Sequence, residues 1–171
     1  PYEDYRQSYA ARAELGGGVV LTQIHDYDLA WWLFGQPSSV RATGGHLSAL
    51  EIDVEDTVDA TLETRAGPVR VRQTFASRPP RRTIAVHGER GTATVDLLAA
   101  RLSFSPPELA PEELHADYQR NDLFLAEAAH FLSCIEGAAP PAIPLSEGVA
   151  VLKVALGVKQ AMQSGGVVKF S

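Results

Sequence analysis

Apolar and polar positions follow two different periods along this chain, and the changes of period mark its elements. Between residues 19 and 34, Val20, Ile24, Tyr27, Trp31 and Phe34 recur at intervals of four and three, an apolar stripe that predicts a single helix. Gly35 and Pro37 supply the expected stop. At roughly 100° per residue, Leu21, His25, Asp28 and Trp32 share a neighbouring face, so two polar groups ride beside the buried seam.

Across residues 39–104 the period drops to two. Val58, Ala60 and Leu62 alternate with Thr57, Asp59, Thr61 and Glu63. After Ala66, Gly67 and Pro68, the set Val69, Val71, Gln73 and Phe75 alternates with Arg70, Arg72 and Thr74, which reads as a hairpin. Further strands are predicted over 40–47, 83–87, 92–97 and 101–104, with residues 88–91 as a tight turn. Such short links favour antiparallel pairing. Residues 105–116, with Pro106, Pro107 and Pro111, read as a loop.

Helical period returns over 121–136, where Phe124, Ala128, Phe131 and Ile135 form a stripe expected to be buried. Residues 137–144 form a rigid connector. Ser146 is the expected N-cap of a last helix carrying Val149, Leu152 and Leu156, with Glu147 favoured by the helix dipole; residues 167–170 close the chain as a strand. One helix, five to six strands, two helices and a strand make an α+β domain: an open, mostly antiparallel sheet with helices on one face. The other face is left available to a partner subunit. The whole chain reads as one domain, with residues 1–15 as a lead-in.

Composition narrows the function classes. With 171 residues and 45% apolar content the chain can bury a core, and a net charge of -6 without any long basic run argues against a nucleic-acid or anionic-membrane surface. Cys134 is the sole cysteine, which excludes an intramolecular disulfide and suits the cytoplasm. No stretch approaches the roughly 20 apolar residues of a membrane span. Starting at Pro1, the chain reads as a fragment of a longer protein.

Four stretches carry a family resemblance. The run Gly16, Gly17, Gly18 enters a helix with His25, an aspartate three residues on at Asp28, and a Trp32-Leu33-Phe34-Gly35 ending; Glu55-Asp56-Thr57 opens a strand; residues 84–92 make a strand-turn-strand; the last helix runs into Gly165-Gly166-Val167-Val168. Together they resemble the C-terminal domain of the Gfo/Idh/MocA oxidoreductases. The resemblance implies a carbohydrate-like substrate (sugar, polyol or nucleotide sugar) bound between this sheet and an N-terminal Rossmann domain, NAD or NADP in the full-length parent, and a homodimer formed through the sheet face. It further implies that His25 is the acid or base on the substrate hydroxyl. An imidazole suits that role because its unperturbed pKa of about 6.5 lies near working pH.

Two departures qualify it. Thr22 stands where many catalytic members carry an aspartate one turn before the histidine, and Asp28, one turn after, is the candidate substitute. No strand-linked G-x-G-x-x-G fingerprint is present, and Gly16 to Gly18 follow no strand, so they read as a backbone turn and the chain alone is expected to bind no cofactor. Catalytic candidates are therefore His25 and Asp28, and candidate substrate contacts are Tyr9, Arg12, Thr22 and Trp32. Each has a structural alternative: His25 as an interface hydrogen-bonding group, Asp28 as its i,i+3 partner, Trp32 as core or interface, Tyr9 and Arg12 as ordinary loop residues. Arg78, Arg81 and Arg82 read as a solvated turn or an anion contact. His46, His87, His115 and His130 lack metal-ligand spacing. The competing reading of the whole is a ligand-sensing or scaffold member of the same fold without catalysis.

Overall fold

The structure, a computed structural model, describes residues 4–117 and 119–170. Its first elements are three 3-10 turns, Tyr5–Gln7, Tyr9–Ala11 and Ala13–Leu15, which lead into the glycines. Beyond them the helix expected over 19–34 is divided into α1 (Val19–Thr22) and α2 (His25–Phe34). The cause is a change of hydrogen-bond partner. Asp26 donates its amide to the Gln23 carbonyl (3.1 Å) and Tyr27 to that of Ile24 (3.0 Å), three-residue turns in place of the α-helical four. The Gln23 carbonyl also accepts from the Gln73 side chain at 2.7 Å. Gly35, at φ 78°, then stops α2 with its amide on the Trp31 carbonyl.

The strands, read from the sequence as one sheet, form two four-stranded antiparallel sheets in two compact units, Pro1–Ala76 with Ile143–Ser171, and Ser77–Ala142. In the first unit β1 (Ser39–Gly45), β2 (Thr57–Thr64) and β3 (Gly67–Thr74) are joined by β8 (Val167–Lys169) in the order β3-β2-β1-β8. Register puts Val40, Leu62, Val69 and Val168 in one row and Ala42, Ala60 and Val71 in the next, all on one face. Helices α1, α2 and α4 (Leu145–Ser164) cover that face, burying Val19, Val20, Tyr27, Ala30, Val154 and Val158. The opposite rows read Arg41, Thr61, Arg70 and Thr43, Asp59, Arg72. The face of this sheet turned away from these helices is therefore charged.

In the second unit β4 (Thr83–Gly88), β5 (Gly91–Asp96), β6 (Arg101–Ser105) and β7 (Glu112–His115) are paired in sequence order. Strand β7 corrects the loop expected over 105–116: its short alternation, directly after the prolines at 106, 107 and 111, is stabilised by pairing Leu114 with Leu102 and Glu112 with Phe104. One face carries Ile84, Val95, Leu102, Leu114 and Val86, Ala93, Phe104; the other carries Thr83, Asp96, Arg101, His115 and Ala85, Thr94, Ser103, Glu113.

Helix α3 (Arg120–Ile135) starts with a capping box between Gln119 and Asp122. Its stripe of Phe124, Ala128, Phe131 and Ile135, expected to be buried, is exposed, because α3 packs closely on no strand of its own unit. Helix α4 begins two residues earlier than expected. Pro144, extended at φ -74° and ψ 157°, is its N-cap, which places Ser146 inside the first turn without a capping role. Its buried positions are Val151, Val154, Ala155, Val158 and Ala161, while Val149, Leu152 and Leu156 are exposed. Among the described residues no helix is long and apolar enough to cross a membrane.

Candidate functional site

The helix bearing His25 is anchored at its N-terminal side by groups distant in sequence. At its approach, Gly17 and Gly18 donate their amides to the carbonyls of Arg12 and Ala10 (both 3.0 Å), and Val19 donates to Glu55 (2.9 Å). A Cβ on Gly17 would come within 2.7 Å of three carbonyl oxygens, and one on Gly18, at φ 101°, would overlap the Glu55 carboxylate. Glu55 is buried and ion-paired to Lys159 of α4 at 2.9 Å. The glycines thus admit a close approach of the chain's own backbone and a carboxylate. Their amides are spent, and a negative group already lies against the turn, so these residues do not fit a dinucleotide phosphate, which needs free amides and positive potential.

His25 opens α2, is exposed, and makes no hydrogen bond or ion pair among the described residues. Asp28, one turn on, is half-buried and is not bonded to His25. Trp32 follows one turn later, 74% exposed. These three share the face opposite the buried Tyr27 and Ala30, so the structure brings His25, Asp28 and Trp32 together and excludes the core reading of Trp32 within this chain.

Beneath that face lies a polar network. The phenol of Tyr27, itself 1% exposed, donates to Gln73 Oε1 (2.9 Å), and Gln73 Nε2 donates to the Gln23 carbonyl (2.7 Å) and to Asp26 Oδ2 (3.0 Å). Burial, and then the negative charges of Asp26 and Glu55, push the Tyr27 phenol far above its ordinary range, so it remains a neutral donor. Sequence reasoning missed Gln73 and Glu55 as anchors. The signal for Gln73 was present: an amide at an inward position alternating with Val69 and Val71.

The remaining candidates stand apart from this face in their bonding. Thr22 donates its hydroxyl to the Gly18 carbonyl (2.7 Å), which leaves it a helix-internal role and no proton to offer His25. Tyr9 is 60% exposed on the second 3-10 turn, and Arg12 is paired with Glu14. Their backbone carbonyls, more than their side chains, shape the glycine turn. Asp56, fully buried, accepts from the amides of Leu47 (3.1 Å) and Ser48 (3.0 Å) and the Ser48 hydroxyl (2.7 Å), with His46 Nε2 at 3.6 Å. Burial opposes its charge, but these bonds prevail and hold the carboxyl below its usual range.

In the second unit Arg81 and Arg82 are exposed and Arg78 donates to the Ser77 carbonyl (2.8 Å). No group of three or more His, Cys, Asp and Glu side chains among the described residues is placed to hold a metal ion. The Cys134 thiol lies 3.6 Å from His130 Nε2, which accepts the Ala142 amide (3.1 Å).

Residues 3–170 match the family model GFO_IDH_MocA_C, described as the oxidoreductase family C-terminal alpha/beta domain. No curated protein sequence matches. Among solved structures, the chain is similar to the WlbA dehydrogenase from Bordetella pertussis in complex with NADH and UDP-GlcNAcA (24% identity, TM-score 0.76, covering 100% of this chain and 53% of that one). It is similar to the UDP-N-acetylglucosamine 3-dehydrogenase GnnA from Acidithiobacillus ferrooxidans (27%, 0.71, 82% and 45%). It is also similar to levoglucosan dehydrogenase in complex with NADH and levoglucosan (15%, 0.83, 95% and 53%). The chain spans about half the length of each.

Proposed function

Because the chain belongs to the Gfo/Idh/MocA oxidoreductase family, as its C-terminal alpha/beta domain, we propose that it is the substrate-binding half of an NAD(P)-dependent oxidoreductase acting on a sugar, polyol or nucleotide sugar in the cytoplasm. The observation that carries the reading is His25: an exposed imidazole, free of hydrogen bonds among the described residues, on a helix fixed to the sheet by a buried network. A nucleotide sugar is the favoured substrate, since the GnnA likeness reaches 27% identity. The chain's share of the reaction is the proton. His25 Nε2 or Nδ1 accepts it from the substrate hydroxyl during oxidation and returns it in the reverse direction; Asp28, one turn away, turns toward the imidazolium when substrate orders the face. Trp32 offers an apolar wall to the sugar ring. The nicotinamide cofactor belongs to the Rossmann half, and this chain's glycines are otherwise occupied.

The test is His25→Ala in the full-length protein. Turnover should fall by ~10² to 10⁴ while denaturation shifts by about 1 kcal/mol or less. Full activity returns the histidine to a structural role. One observation favours the non-catalytic alternative: neither Thr22 nor Asp28 supports the imidazole in this structure. In that case ligand binding would survive His25→Ala and no turnover would be found in either protein.

For subunit pairing, the surface we propose is the apolar face of the second sheet, with Leu102 and Leu114 exposed on it. Leu102→Asp should convert a dimer to a monomer in sedimentation; a parent sequence that sediments as a monomer removes the proposal.

A further inference from the structure

The geometry assigns Gln73, bridged to Tyr27, as a positioning residue for His25: its side-chain amide holds open the break between α1 and α2 that sets the direction of the imidazole. The inference rests on the reading of His25 given above for its functional weight, though not for its geometry.

Gln73 is 4% exposed in a row whose other members, Val58 on β2 and Gly44 on β1, are apolar or bare. A leucine or methionine there would fill the same space without the cost of burying an amide. The amide is retained with all its strong positions satisfied. Nε2 faces two acceptors, the Gln23 carbonyl and the Asp26 carboxylate, while Oε1 faces the Tyr27 hydroxyl; the flipped amide would put oxygen against oxygen twice. The orientation is therefore unique.

What this network holds is a helix that would otherwise run on. In a regular helix the Gln23 carbonyl would accept from the Tyr27 amide; here it accepts from the Gln73 side chain and the Asp26 amide, and Tyr27 donates to Ile24. Tightening one turn to three-residue bonds changes the rotation per residue, so every side chain after the break is turned about the axis relative to α1. His25 is the first residue of α2 after the break. Loss of the Gln73 donor leaves the Gln23 carbonyl with the Asp26 amide alone, lets the turn relax toward the regular bond from Tyr27, and swings His25 away from its present direction. Because β3 is hydrogen-bonded along its length to β2, the reference point for this positioning is the sheet itself.

The test uses Gln73→Glu, which keeps the shape but sets a carboxylate against two acceptors, and Tyr27→Phe, which removes one hydroxyl. The readout is the imidazole NMR signal of His25 in this chain, with His46, His87, His115 and His130 as internal controls. In both variants the His25 ring signals should shift and broaden, more in Gln73→Glu, while the four control rings stay in place. Should Gln73→Glu fail to fold, Tyr27→Phe decides alone. Unmoved His25 signals in the folded variants overturn the assignment. In the full-length protein the same substitutions should lower kcat, by up to ~10² for Gln73→Glu, with KM little changed. A moved His25 with unchanged kcat keeps the positioning and sinks the acid-base role of the histidine, so the two failures are distinguishable.

Discussion

The two sheets are built from the same period-two alternation and use it for opposite purposes. In β3-β2-β1-β8 the apolar rows, from Val40 and Leu62 to Ala60 and Val71, are sealed under α1, α2 and α4, and the outer rows carry Arg41, Asp59, Arg70 and Arg72. In β4-β5-β6-β7 the apolar rows through Val95, Leu102 and Phe104 are no more than half-buried, and no residue of α3 is buried. Alternation states that one face of a strand is apolar; it does not state what will cover it. The comparison is broken most directly by truncation. Leu62→Ala, at 1% exposure, should cost about 3 kcal/mol in urea denaturation, whereas Leu102→Ala, partly exposed, should cost about 1 kcal/mol or less in the monomer. Equal costs would mean that the second apolar face is as well covered as the first.

Acid should separate the two units next. All the buried polar and charged residues among those described, Glu55, Asp56 and Gln73, belong to the first unit. The Asp56 carboxyl is held below its ordinary value in the fold, so it binds its proton more readily when unfolded. Its stabilising contribution is fully present above the unfolded value of about 3.9 and is lost as pH falls through the lower folded value. Stability of the first unit should drop below pH ~4, and Asp56→Asn should flatten that drop while costing about 2 kcal/mol at neutral pH, because an amide NH2 then faces the Leu47 or Ser48 donors. Proteolysis at falling pH, mapped by peptide, reports which unit opens. An acid transition unchanged by the substitution would remove Asp56 from the explanation.

What could be read from the sequence tracks how local the cause is. The α+β class, the strand pairs and the stops at Gly35 and Gly165 depend on neighbours in the chain, and each is visible in the pattern. The His25, Asp28 and Trp32 face was legible because i, i+3 and i+7 stay together even when the helix begins at residue 25. The break itself was not legible: it depends on Gln73, fifty residues away, whose side chain competes for a helix carbonyl. Strand β7 depends on β6 for its existence, and four residues after a proline-rich stretch carry too little alternation to announce it. The stripe of α3 was correctly read as apolar, and its exposure follows from the lack of a close partner in its own unit.

The smallest effect tests the assignment of faces. On the outer face of the first sheet Arg70 grips Asp59 across the strands, Nη2 to Oδ2 at 2.6 Å, and lowers the Asp59 carboxyl chiefly through that hydrogen bond. The arginine is 73% exposed, so water and salt screen the pair, and Arg70→Ala should leave the denaturation midpoint unchanged within error. If subunits pair through the second sheet, the same substitution should also leave the sedimentation profile unchanged at low and high salt, in contrast to Leu102→Asp. If instead the first sheet pairs, Arg41, Arg70 and Arg72 lie within a polar interface; removing Arg70 would then weaken association, and added salt would weaken it further. Sedimentation of the two variants at two salt concentrations therefore decides which sheet face meets a second copy.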